Sequence, residues 1–125
     1  MGLSEQQPCE TTRSLDITQG GISITTKRTL LYGLSVFNIA GAAARFVKIY
    51  DLATTPNPAS DVPKMTIALG AASATNNAWR ERFVNPVHFT NGIQVRCSTA
   101  VGDTDTGAPG AGNVIGYFLH RQLAR

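Results

Sequence analysis

The chain is expected to fold as an all-β protein, an antiparallel β-sandwich of the jelly-roll type in preference to an immunoglobulin-like one, with an extended N-terminal arm. Three observations lead there. From residue 21 onward apolar side chains recur with a period of two. Clusters of Gly, Pro and Asn cut that alternation into seven or eight short segments. No segment shows the 3.6-residue spacing of an amphipathic helix.

Size is consistent with this. At 125 residues and 13.3 kDa the chain supports one core. Surface scaling lets a chain of this mass bury about two thirds of its extended area without disulfide staples. We expect residues 1–20 to be an arm and residues 21–125 a single sandwich domain. The first segment is rich in Gln, Glu, Thr and Ser and has little apolar surface to offset the entropy of ordering. Charge divides the chain in a similar place, with net −2 over residues 1–26 and +5 over the rest.

The elements follow in order. In Thr29-Leu30-Leu31-Tyr32-Gly33-Leu34-Ser35-Val36-Phe37, strict alternation places Leu30, Tyr32, Leu34 and Val36 on one strand face. Arg45-Phe46-Val47-Lys48-Ile49-Tyr50 repeats the pattern, and the small-residue run 39–44 between them suits a hairpin turn. Residues 52–63 form a loop, since Pro56, Pro58 and Pro63 remove donors and fix φ. Lys64-Met65-Thr66-Ile67-Ala68-Leu69 alternates again. Further strands are expected over 79–84, 86–89 and 92–98, with Asn91-Gly92 as the turn between the last two. A Gly/Asp/Thr/Pro loop over 101–112 precedes a closing strand over 113–120.

Several function classes lose support at this stage. No apolar stretch approaches the roughly 20 residues of a membrane-spanning helix. The opening Met1-Gly2-Leu3-Ser4-Glu5-Gln6 lacks the features of a signal peptide, so synthesis in a cytoplasm is expected, which the resemblance given below makes the host cytoplasm. Cys9 and Cys97 have no C-x-x-C spacing and no clustered His partners and read as reduced structural thiols, with a bridge between them as the alternative. His88 and His120 have no acidic or cysteine neighbour at ligand spacing and read as strand residues. Asp103-Thr104-Asp105-Thr106-Gly107 places two carboxylates as calcium loops do, but the twelfth position is Val114 where a bidentate Glu is required, so a polar turn is expected. Residues 107–112 are glycine-rich without the Lys-Ser/Thr of a phosphate loop. Neither catalytic residues nor a metal or other cofactor is expected.

Net charge is +3, yet the basic residues are dispersed and no Lys/Arg run or aromatic stacking platform occurs. A protein partner is therefore favoured over nucleic acid, which agrees with the low charged content of 15%. Aromatic and Arg residues together are what interface cores select. The best such group is Trp79-Arg80-Glu81-Arg82-Phe83, in which Trp79, Glu81 and Phe83 share a side. Trp79, Arg80, Arg82, Phe89, Arg121 and Arg125 form the candidate partner surface.

The succession Leu31-Tyr32-Gly33-Leu34-Ser35-Val36-Phe37-Asn38, then Ala43-Ala44-Arg45-Phe46-Val47-Lys48-Ile49-Tyr50-Asp51 with its Pro-rich loop, resembles the small cement or decoration proteins on the heads of tailed bacteriophages. The resemblance continues through Pro63-Lys64-Met65-Thr66-Ile67, Phe89-Thr90-Asn91-Gly92-Ile93, Asp103-Thr104-Asp105-Thr106 and Gly112-Asn113-Val114, and covers roughly residues 28–120. It implies a non-enzymatic virion protein on the capsid surface, a dimer or trimer of itself that bridges and stabilises major capsid protein subunits. The rival expectation is a tail or fibre component that acts as a receptor- or carbohydrate-binding module.

Overall fold

The computed structural model describes residues 9–123. Eight strands occur in it: β1 (Glu10–Ser14), β2 (Ile22–Thr25), β3 (Thr29–Asn38), β4 (Arg45–Tyr50), β5 (Met65–Leu69), β6 (Ala78–Phe89), β7 (Ile93–Ser98) and β8 (Val114–Gln122). They form two four-stranded antiparallel sheets, one ordered β1-β8-β3-β6 and the other β2-β7-β4-β5. The pairs β1/β8, β2/β7, β3/β6 and β4/β5 are those of one long antiparallel ribbon folded at its middle. Winding that ribbon so that alternate pairs fall in opposite sheets produces this order, which is the jelly roll of two Greek keys. An immunoglobulin-like sandwich would keep several sequence-adjacent strands together; here only β4 and β5 are neighbours in both sequence and sheet.

The core fills the space between the sheets. One sheet contributes Leu31, Leu34, Val36, Val114 and Phe118, and the other Val47, Ile49, Ile67, Leu69, Ile93, Val95 and Cys97. Phe89 at the end of β6 and Ile17 between β1 and β2 are also fully buried. Burying one such side chain stabilises by about 1.5–3 kcal/mol, so these positions dominate the apolar contribution to the fold.

Several features differ from expectation. The alternation of β3 is broken at Tyr32, where the register shifts against both neighbours, so the core face carries Leu31 and then Leu34 and Val36, while Leu30 and Tyr32 are half-buried. A bulge reverses which residues face inward, and period counting across it assigns the first half to the wrong face. Secondly, β3 and β4 are not a hairpin. They lie in different sheets, because both edges of β3 are occupied by β6 and β8.

Thirdly, Asn91-Gly92 joins strands of different sheets and is a corner, not a hairpin turn. Gly92 has φ +150°, and a Cβ there would lie 2.6 Å from the Thr25 carbonyl and 2.7 Å from the Leu52 carbonyl. The corner is held by the Asp51 carboxylate, which accepts from the N–H groups of Thr90 (3.1 Å) and Asn91 (2.8 Å). Finally, residues 9–20 do not stand apart from the body: β1 pairs along its whole length with β8, and Ile17 is in the core. Ladder hydrogen bonds order a strand whose own side chains bury little, which composition does not register. Residues 1–8 of the expected arm lie outside the described residues.

The segments expected as separate strands at 79–84 and 86–89 are one strand, β6, on the edge of its sheet. Its residues 83–86 bulge out opposite the single residue Tyr32. Pro86 fits there because an edge strand has no ladder bond to lose on its outer side.

Candidate functional site

The outer faces of the two sheets are built very differently. On the β2-β7-β4-β5 sheet, alternation turns Lys48, Gln94, Arg96 and Ser98 away from the core, yet all four are buried. Gln94 donates to the Ser23 hydroxyl of β2 (3.0 Å), whereas Lys48, Arg96 and Ser98 bond the loop that follows β7. The Lys48 ammonium donates to the Gly102 carbonyl and the Arg96 Nη2 to the Asp105 carbonyl. Arg96 also donates Nε to the Gln19 carbonyl (3.1 Å) and Nη1 to the Tyr50 hydroxyl (3.1 Å). The loop is in turn tied by the Asp105 carboxylate, which accepts from the N–H groups of Thr99 (3.2 Å), Ala100 (3.1 Å) and Gly107 (3.2 Å).

Electrostatics follow this packing. Burial and the neighbouring Arg96 guanidinium lower the Lys48 pKa from its ordinary 10.5, against the opposing pull of Asp105 and Asp103. Desolvation works to raise Asp105, but the N–H groups of Gly107, Ala100 and Thr99, helped by Lys48, outweigh it and leave the carboxyl below its ordinary value. The Gly102–Asp105 segment is thus an internal cap for two cations, as a polar turn can be. Among the described residues no three of His, Cys, Asp and Glu gather where a metal ion could be held.

Among the described residues no loop covers the outer face of the β1-β8-β3-β6 sheet in this way. Two rows of paired residues cross it: Arg13, Tyr117, Ser35 and Arg80, then Thr11, Leu119, Gly33 and Arg82. Between the Arg80, Glu81 and Arg82 stretch of β6 and the Tyr117 and Leu119 side chains of β8 runs a groove of about 370 Å³, floored by Gly33 and Ser35. Gly33 is required by close approach, since a Cβ there would meet the Glu81 carbonyl at 2.9 Å and the Arg82 Cδ at 3.0 Å. The Arg80 guanidinium lies 5.0 Å from the centre of the Phe37 ring, and Phe37 packs edge-on against Tyr117 with centroids 6.3 Å apart. Further along the same face Arg121 lies 5.6 Å over the Tyr32 ring.

The described carboxylates are engaged elsewhere or turned to the other side. Asp16 accepts from the Gly112 N–H (2.8 Å), Asp61 from that of Asn57 (2.7 Å), and Asp51 and Asp105 hold the corner and the loop already described. Glu10 and Glu81 stand opposite His120 and Leu34, which point to the interior, and so project from the other side of the sheet. Acids are spent on stapling loops, while Arg13, Arg80, Arg82 and Arg121 share one face.

Of the candidate partner residues, the structure brings Arg80, Arg82 and Arg121 onto this face. Trp79, 46% exposed, is opposite Val36 and therefore on the other side of β6. Phe89 is fully buried in the core beneath the Lys64 ammonium, 5.3 Å from its ring, and presents no surface to a partner. Arg125 lies outside the described residues. Tyr117, Gly33, Ser35 and Arg13 were not singled out by sequence reasoning; a glycine inside an apolar strand was the available signal for the groove.

His120 is buried, with Nε2 2.8 Å from the Thr12 hydroxyl and Nδ1 unpartnered; burial lowers its pKa from 6.5 against a weaker opposing effect of Glu10. Cys97 is buried and free, its thiol pushed up to about 11 by burial, whereas Cys9 is free and exposed. No described helix is long and apolar enough to cross a membrane.

The fold and this face together define a jelly-roll domain with one covered and one open sheet. No family model and no curated protein matches the chain. A coat protein of Tobacco streak virus superposes on 96% of the chain and 88% of its own length, at 12% identity and a TM-score of 0.42. At those values the likeness carries no weight for either fold or function.

Proposed function

We propose that this is a non-enzymatic structural protein of a virus particle, a cement or decoration protein that bridges major capsid protein subunits on a bacteriophage head as a dimer or trimer. The observation that carries the reading is the open basic and aromatic sheet face. Four arginines stand on it without an ion-pair partner among the described residues, although the same chain caps the cations of its other sheet internally. Such a face fits a protein surface, where Arg and aromatic side chains supply most of the binding energy. The rigid jelly roll and the resemblance over residues 28–120 agree with that role. Many copies that bind only the assembled lattice would stabilise it by mass action.

The test is to compare particles that carry the protein with particles that lack it. Decorated heads should survive heat and low salt better, and labelled antibody should mark the head uniformly. Equal resistance of the two would remove the cementing role. Label confined to the tail would instead support the receptor- or carbohydrate-binding reading.

A further inference from the structure

We infer that the groove between Arg80–Arg82 and Tyr117–Leu119 is a recognition site for an extended acidic segment of a partner protein, with carboxylates at alternate positions. This deepens the virion reading and rests on it only for the origin of the segment.

Arg80 and Arg82 are two residues apart on one strand face, opposite Ser35 and Gly33. Their Cα atoms are thus about 7 Å apart, the repeat at which an extended chain presents every second side chain. The Arg80 guanidinium carbon lies 5.0 Å over the Phe37 ring, a cation–π contact that uses none of its N–H groups and leaves them for a planar, two-pronged carboxylate. Arg82 lies with its stem against Gly33, which has no side chain to lift it off the sheet. Across the groove Tyr117 and Leu119 are half-buried and offer apolar contact to the stems of the incoming residues. A volume of about 370 Å³ takes a few side chains and no more. That suits a short peptide better than a nucleic-acid strand, which needs a continuous basic track and bases stacked along it.

The probe is a fluorescein-labelled octapeptide of alternating glutamate and threonine, titrated into the full chain. Saturable binding is expected, weakened about tenfold or more by the double substitution Arg80→Glu with Arg82→Glu. Ser35→Tyr, which fills the groove and leaves every charge in place, is expected to weaken it by a similar factor. Both changes lie on the outer face, and unchanged melting verifies that the variants fold. Binding unaffected by either change overturns the inference. So does equal binding of a peptide of the same composition with its glutamates contiguous, or tighter binding of oligothymidylate that is lost in the same variants.

Particle binding separates this inference from the one it rests on. If the double variant decorates heads as well as the wild type does, the groove is not the contact and the inference falls while the virion reading stands. If the chain takes the peptide but decorates no particle, the groove stands and the virion reading falls.

Discussion

Two sheets of similar size, each with cations turned away from the core, treat those cations in opposite ways. On the β2-β7-β4-β5 sheet, Lys48 and Arg96 are sealed under a loop whose carbonyl oxygens they bind. On the β1-β8-β3-β6 sheet, Arg80 and Arg82 lie exposed along a groove. The same residue type is thus a structural strut in one place and a free donor set in the other. What decides is whether the chain supplies the acceptor.

The contrast can be broken most severely at Arg96. Removing its side chain leaves the Gln19 and Asp105 carbonyls and the Tyr50 hydroxyl without their donor beneath the loop. Arg96→Ala should cost about 3 kcal/mol, roughly a 10 °C fall in Tm, measured by calorimetry. A change of under 1 kcal/mol would mean the covered face is no more committed than the open one.

A smaller effect comes from pH, and the sheets should respond at opposite ends of the scale. The folded pKa of His120 is lowered from 6.5, so the unfolded chain takes up its proton first and stability is lost as pH falls from about 6.5 through the folded value. Because His120 bonds Thr12 of β1, amide exchange in Glu10–Ser14 should accelerate on acidification before that of β7. Lys48 also has a lowered folded pKa, so the cost of its buried charge is relieved and stability rises as pH climbs through that value toward 10.5. Replacing His120 with Gln should flatten the acid limb alone, and Lys48→Met the alkaline limb alone.

The smallest effect is expected on the open face. Arg80→Ala loses its stacking on Phe37 and no buried partner, so stability should change by less than about 0.5 kcal/mol. A larger loss would show that this arginine is also a strut.

Most of the sandwich was legible in the sequence because alternation is a local signal. Val47, Ile49, Ile67 and Leu69 face the core as their spacing requires. Pairing was not legible, since β3 and β4 alternate equally well as a hairpin or as members of different sheets. The bulge at Tyr32 was hidden for the same reason: one residue that looks in phase is out of register with both neighbours. At the site, Arg80 and Arg82 could be read from their position in an alternating segment. That Arg96 is buried could not, because its cover is a loop from another stretch of chain. Phe89 was misplaced on the surface because a strand-end aromatic looks the same in sequence whether it closes the core or borders it.

The pairing of β1 with β8 has a consequence for biosynthesis. Ser14 meets Gly116, so β1 must wait for β8 before it finds its partner. Closing a loop of roughly 100 residues costs about 4 kcal/mol in chain entropy before any bond is gained. The nascent chain can build β4/β5 and then β3/β6 on the ribosome, but the basic face, floored by β3 and β8 together, comes into being only after β8 has emerged. The groove is thereby withheld until β8 is made, and a chain cut short before Val114 has neither its β8 wall nor a partner for β1.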